Sequence, residues 1–465
     1  MGGNKTITLN KGTTNGSTSI SGFILPLDGI VGALNISNLT NLTNLEVGRN
    51  FSLTSILNPT SSQNWIKYLA YNCNLTGILN ISGLSGLGGD FQVQDNPNLI
   101  FITNPTSSQI FTSYAAISCG LSSFLDLSGL SGLGGNVQLQ YNAGLYMIIN
   151  PTSTQPFTYY HAFSCGLLGE LNLAGLSGLG GDFRVNNNIG LELITNPTSS
   201  RPFSFYWAHD CNLTGILDIS GLSGLGGEIT MMRNPNLRYI LNPSSNELIT
   251  YYGAWSCDLR DTLDLSGLAR LGGTFSAADN QYLQYINNPI SSEVFSVYYV
   301  FECDLTDTLD LSTLTGLGGD ITIAVNPNLN YILNPNSSQI ITNYNVELND
   351  LTGTLDVSGL LGLGGTFFTR SNGNLTEILL PTFTQPFIDF RVDWCSLEQA
   401  TIDSILSKLD AWYSVHPPTA DLSLYLNNGA NSCPTNGNLN TNLRHLITIF
   451  GNAGYNLDWH INLCP

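Results

Sequence analysis

The chain has 465 residues, of which only 10 % are charged, and a formal net charge of −19. Phosphate backbones and anionic lipid surfaces demand clustered cations, and a chain with four lysines offers none, so neither nucleic acid nor a membrane surface is an expected partner. No apolar run approaches the ~20 residues of a spanning helix, so membrane insertion is not expected.

Residues 1–20 are polar, glycine-containing and aperiodic, and read as an N-terminal tail. They hold no apolar segment of the kind a secretory leader needs, so no leader is expected there. An irregular first unit follows, with Asp28 at the place later taken by cysteine. From Asn50 the register is strict. Cysteine recurs at 73, 119, 165, 211, 257 and 303, gives way to Asn349, and returns at Cys395. Midway stand Asn50, Asn96, Asn142, Asn188, Asn234, Asn280, Asn326 and Asn372, so the unit is 23 residues, with Asn and Cys alternating at one position. Self-similarity at so short and constant a period predicts a solenoid over 21–395.

Within the asparagine half-units, Phe91 and Val93 alternate ahead of Asn96; in the cysteine half-units Tyr114 and Ala116 hold the same places ahead of Cys119. Such alternation makes a short strand with one buried face. Tyrosine repeats at 68, 114, 160, 206, 252, 298 and 344, with Phe390 last. The strands LxLxxN and LxLxxC resemble leucine-rich repeats, and the sequels CNLTGILNIS and CNLTGILDIS resemble the LxGxL extension that supplies some of those repeats with a second strand. The resemblance implies a mostly β leucine-rich repeat solenoid of roughly 17 turns. Its convex side, NPTSSQ and GLSGLGG, is too rich in Pro and Gly for helix and should hold short strands and turns. The paired glycines, Gly88-Gly89 and their repeats, should permit a tight turn into the ladder strand.

Residues 396–465 depart from the pattern and read as a small α/β C-terminal cap. Ile402, Ile405, Leu406, Leu409 and Trp412 are spaced for a helix ended by Pro417-Pro418; Leu422, Leu424 and Leu426 alternate as a strand. Leu443, Leu446, Ile447 and Phe450 mark a second helix, and Tyr455, Leu457, Trp459, Ile461 and Leu463 a last strand. This closing segment is similar to the ends of leucine-rich repeat proteins carried by bacteriophages and some bacteria.

Successive ladder cysteines sit two turns apart, roughly 10 Å, too far for a disulfide. They should be free, buried thiols, and no Cys/His cluster suggests zinc. Cys433 and Cys464, both in the cap, are the disulfide candidates.

Residues flanking the buried pair should line the concave face. In the cysteine half-units these include Tyr71, His161, Phe163, Trp207, His209, Trp255, Tyr299 and Phe301; the asparagine half-units add Gln138, Gln140, Arg184 and Arg233. Aromatic faces beside amides suit sugar rings or a protein loop with apolar anchors. Stacking of the rings on one another is the alternative. Asp210 and Arg233, on adjoining turns, should pair. Asp279 and Glu302 are also on adjoining turns, where Ca²⁺ or solvation could relieve their repulsion; with two carboxylates alone solvation is adopted, and no cofactor is expected. Carboxylates are dispersed, the five histidines form no triad, and no phosphate-binding glycine motif opens a helix, so no enzyme is expected.

The function expected is adhesion or receptor recognition. The protein would be a phage virion or tail-associated component on a virion or extracellular surface, with its concave face on a glycan or protein receptor of a cell. The alternatives are an architectural decoration or filament subunit, contacting other virion or assembly proteins, and a bacterial cell-surface adhesin.

Overall fold

The computed structural model describes residues 7–8, 22–24, 30–427 and 429–461. The fold is mostly β, 44 % strand and 8 % helix, a solenoid of about 16 turns with a small helical C-terminal part. The count is one below the ~17 turns read from the 23-residue period; Asp28, in the irregular first unit, lies outside the described residues. The turns fall into two compact units, Met1–Leu237 and Arg238–Pro465.

In the first unit, parallel strands such as Gly89–Gln92, Phe111–Ala115, Gly135–Gln138, Phe157–His161, Gly181–Arg184 and Phe203–Trp207 form the ladder sheet. Register is one repeat per strand. Phe91 lies opposite Tyr114, Tyr114 opposite Val137, Val137 opposite Tyr160, and Tyr160 opposite Phe183. Residues 23 apart are therefore stacked, as the period required. On the outer side, Gly77–Asn80 pairs with Leu99–Thr103, and Ser122–Asp126 with Gly144–Ile149. These outer sheets have two strands each, because the extension strand and its partner alternate with the 46-residue period. The second unit repeats both arrangements, for instance Phe295–Tyr299 beside Gly319–Thr322, and Thr306–Asp310 beside Asn328–Leu333.

The turns are tied by the buried asparagines. Asn96 Nδ2 donates to the carbonyls of Ala70, one turn back (2.9 Å), and of Val93 in its own strand (2.8 Å), while Oδ1 accepts from Leu75 N–H (3.0 Å). Asn234 in the first unit and Asn280 in the second repeat the set. A buried amide thus satisfies three backbone groups that would otherwise be stranded. At the alternating position Cys119 Sγ donates to the Val93 carbonyl one turn back (3.2 Å), reproducing one of the three bonds. Asn349, in the cysteine series, simply resumes the amide bonds to Ile323 and Val346. The ladder cysteines Cys73, Cys119, Cys165, Cys211, Cys257, Cys303 and Cys395 are thiols outside any disulfide. Burial pushes Cys119 up to about 12 and Cys165 to about 11. Cys433 is disulfide-bonded; the candidate partner Cys464 lies outside the described residues.

A second set of asparagines, not anticipated from the sequence, crosses the core. The hydroxyl of Tyr114 reaches Asn104 Oδ1 (3.0 Å), and Asn104 Nδ2 donates to the Asp126 carbonyl on the outer side (2.9 Å). Tyr68 with Asn58, Tyr160 with Asn150, and Tyr252 with Asn242 do the same. A phenol spans the interior, and its one polar atom finds a partner at the far wall. Where the series ends, Phe390 lacks the hydroxyl and Leu380 replaces the asparagine ten residues earlier; both are buried. A third set, Ser107 and its repeats, donates from Oγ to the carbonyl of Leu87 and its equivalents (2.7 Å). Gly89 has φ +61°, and a Cβ there would collide with the Ile66 carbonyl. Of the paired glycines it is the one the turn conformation requires.

The segment 396–465 prolongs the ladder sheet. Strand Leu422–Asn427 pairs in parallel with Phe387–Arg391, and Leu457–Ile461 pairs with Leu422–Asn427. Helices α1 (Gln399–Val415) and α2 (Thr441–Ala453) stand in these turns where outer strands stood before. Asn431 acts as a ladder asparagine, donating to Val392 and Leu426 and accepting from Leu397 N–H. Helix α1 buries Ile402, Ile405, Leu406, Leu409 and Tyr413, and the Tyr413 hydroxyl both donates to and accepts from the Phe387 backbone.

Two outcomes follow. Asn142→Ala should cost about 3 kcal/mol in urea unfolding, because it strands several buried groups, whereas Cys165→Ala should cost about 1 kcal/mol. In the native protein at about pH 8 the ladder thiols should not react with a thiol reagent, since the thiolate is the nucleophile; they should do so once the chain is unfolded.

Candidate functional site

On every ladder strand the residues flanking the buried pair project from the open face of the sheet, in columns one repeat apart. In the first unit Tyr159, Asp182 and Phe205 form one column, His161, Arg184 and Trp207 the next. Phe163, Asn186 and His209 follow two residues along each strand, and Asp210 and Arg233 hold the final, left-handed position at φ 54° and 55°.

These side chains close into one network. Arg184 grips Asp182 with two bonds, Nε to Oδ1 at 2.6 Å and Nη2 to Oδ2 at 2.8 Å. His161 Nε2 stands 3.3 Å from the same carboxylate. The Arg184 guanidinium lies 4.0 Å over the Trp207 ring and 4.7 Å over Phe205. His209 Nδ1 meets Asp210 Oδ2 at 2.6 Å, and Arg233 takes Asp210 by both oxygens. Phe163 packs edge-on against Tyr141 at 5.2 Å and against His161 at 5.8 Å. Burial alone would raise the Asp182 carboxyl, but the nearby His161 ring and the bonds from Arg184 outweigh it and hold it below its ordinary value. The bond from Arg233 lowers Asp210 in the same way.

The sequence-based candidates of the first unit are on this open face, though not as freely exposed as expected. His161 and Gln140 are buried, at 9 % and 7 % exposure, and Phe163, Trp207, His209, Gln138, Arg184 and Tyr71 are half-buried. Rings stack on neighbours and leave faces and edges, rather than whole side chains, to solvent. The Asp210–Arg233 pair forms as anticipated. Asp182, Tyr159 and Phe205 join the site from a further column, two residues earlier on each strand, that the sequence reading does not include. An Asp two residues ahead of an Arg was the available signal, and it recurs as Asp389–Arg391, with Arg391 between Phe368 and Tyr425.

In the second unit Trp255, Tyr299 and Phe301 flank the buried residues of that unit's own ladder strands. The Tyr299 hydroxyl donates to Asp320 (2.7 Å), which pushes its pKa up to about 12. Asp279 accepts from Ser256 Oγ (3.0 Å), and no group of three His, Cys, Asp or Glu able to hold a metal gathers among the described residues. Nor is any helix among them long and apolar enough to cross a membrane.

No protein-family model and no curated protein matches the sequence. Among solved structures the chain is similar to leucine-rich repeat proteins. A TDR receptor is 14 % identical, over 86 % of this chain and 81 % of its own, with a TM-score of 0.27. The Arabidopsis receptor kinase HAESA, in complex with the peptide hormone IDA and the co-receptor SERK1, is 13 % identical over 96 % and 88 %, with a TM-score of 0.23. An internalin from Listeria monocytogenes is 15 % identical over 89 % and 80 %, with a TM-score of 0.21. At such identities and scores the likeness carries nothing about function.

The lowered Asp182 carboxyl has a pH consequence. Its contribution to stability is complete above the ordinary carboxylate range and is lost as pH falls through the depressed native value. Asp182→Asn should therefore lower the melting temperature at neutral pH and narrow its gap to the parent protein below about pH 4. An unchanged gap would remove the pair from the stability of the site.

Proposed function

We propose that the protein is a non-catalytic recognition module that binds a glycan or protein receptor through the open face of its ladder sheet, the face read as concave from the sequence. The observation that carries this reading is the Arg184 cluster. A guanidinium fixed by two carboxylate bonds and laid on Trp207 and Phe205 is a rigid, half-exposed platform, and fixed aromatic and Arg groups recur at the energetic centres of interfaces. Rigidity before binding lowers the entropy lost on binding. The carboxylates of the cluster, Asp182 and Asp210, are engaged by Arg184 and Arg233, an arrangement that suits a fixed binding platform. The setting we propose is the surface of a virion or another extracellular surface, supported by the low charge and the abundance of Asn, Ser and Thr.

A second reading, an architectural subunit, is favoured by a different surface. Ile78, Phe101, Phe124 and Met147 make an apolar row on the outer sheets, with Ile78 paired to Phe101, Phe124 to Met147, and the two phenylalanine rings 5.3 Å apart. A row of this kind suits a second copy of the chain.

Trp207→Ala, in the Arg184 cluster, should weaken binding to a glycan array or to host-surface protein by about tenfold or more, given the usual weight of buried aromatic anchors. The fold should be retained by circular dichroism. Binding at parental strength would refute the open-face reading, and self-association abolished by Phe124→Asp in its place would establish the architectural one.

A further inference from the structure

The open face of the first unit is banded. Cysteine half-units present mainly apolar or aromatic groups, Ser113, Ala115 and Ile117, then Tyr159, His161 and Phe163, then Phe205, Trp207 and His209. The asparagine half-units between them present polar groups: Asp90, Gln92 and Gln94, then Asn136, Gln138 and Gln140, then Asp182, Arg184 and Asn186, with an amide at the last place each time. Bands of one kind are thus two turns apart, about 10 Å at the spacing of neighbouring strands. In one column, at successive amide bands, Gln94 Oε1, Gln140 Oε1 and Asn186 Oδ1 are all sequestered without a hydrogen-bond partner. Gln140 and Asn186 are each 7 % exposed. The ladder amides Asn96 and Asn142 in the same unit are by contrast fully bonded, and the other idle amide oxygens, those of Asn44, Asn326 and Asn438, do not fall in this column. A buried amide with an idle oxygen is costly, and three repeating at a fixed interval mark a surface arranged for something that bonds them.

We propose that this column receives an extended β-1,4-linked polysaccharide lying along the stack of turns. The inference rests on the recognition reading above and names its ligand class. The disaccharide repeat of such a chain has the length of two turns, about 10 Å. One pyranose face therefore meets Ile117, Phe163 and the Trp207–His209 pair at each repeat. Its hydroxyl or acetamido groups meet the amides of Gln94, Gln140 and Asn186, whose ends turn to take them. Sugar faces on apolar or aromatic groups, with amides fixing the hydroxyls, are the chemistry of a mixed aromatic and polar site. An extended peptide does not share the interval, since its two-residue repeat is about 7 Å. From Gln94 to His209 is five turns, about 24 Å, the reach of a hexasaccharide at most.

The test is calorimetric titration of the full chain with cello- and chito-oligosaccharides from the disaccharide to the octasaccharide, beside a malto-hexasaccharide of curled α-1,4 linkage and a threonine–serine hexapeptide. Affinity should climb with each added disaccharide, level off at the hexasaccharide, and be absent for the α-linked chain. Gln140→Ala and Phe163→Ala should each reduce hexasaccharide affinity by about tenfold, while Asn187→Ala, on a neighbouring exposed position, leaves it unchanged. Three results would overturn the proposal: affinity independent of length, equal binding of the α-linked chain, or no glycan binding, the idle amides then being met by water alone. If glycans fail but a protein ligand is lost in the Trp207→Ala variant, the recognition reading stands and only the glycan inference falls.

Discussion

Every turn of this protein hangs on a carboxamide buried between layers. Asn96 and its equivalents bond the strand they follow and the turn before them, so that stacking and register are settled by the same side chain. Shifting the chain by one residue would move the amide out of the interior and strand the carbonyls it serves. Thiols at the alternate position need do less, because the asparagine of the following turn already accepts from the backbone beside most of the cysteines, as the N–H groups of Leu75, Leu121 and Leu213 beside Cys73, Cys119 and Cys211 show. Replacement of a cysteine by Asn349 leaves the ladder intact for the same reason.

The alternation reaches well beyond the ladder. Because asparagine and cysteine half-units differ, the cross-core tyrosine strut occurs once per 46 residues, the outer strands pair in twos, and the open face acquires amide bands between aromatic ones. A periodic scaffold thereby becomes a surface with a repeat length of its own. Rigidity of that surface comes from groups that hold one another: Arg184 on Asp182 and Trp207, Arg233 on Asp210, Arg391 on Asp389 and Tyr425.

Much of this was legible in the residues. Strict recurrence of Asn and Cys required stacked turns, and alternation around Phe91 and Val93 assigned the buried face before any coordinate. The cap helices were readable from apolar spacing alone. What escaped were relations between positions that no local pattern links. Asn104 serves Tyr114 across the interior although ten residues separate them, and only the joint change to Leu380 and Phe390 betrays the coupling. Continuation of the ladder sheet past Cys395 was hidden because Asn431 follows its strand at a longer interval than the earlier asparagines. On the open face, polarity alone could not show that His161 and Gln140 are buried by the neighbouring turns, nor that Asp182 completes the Arg184 site, since both depend on what lies one repeat away.

Hydrogen exchange resolved to single amides offers the most direct check on the ladder. The N–H groups of Leu75, Leu121 and Leu213, bonded to asparagine side chains and to no backbone carbonyl, should exchange as slowly as the central amides of the strands beside them. Exchange of these protons at the rate of open loops would mean that the carboxamides do not join the layers, and the alignment of the open face would lose its cause.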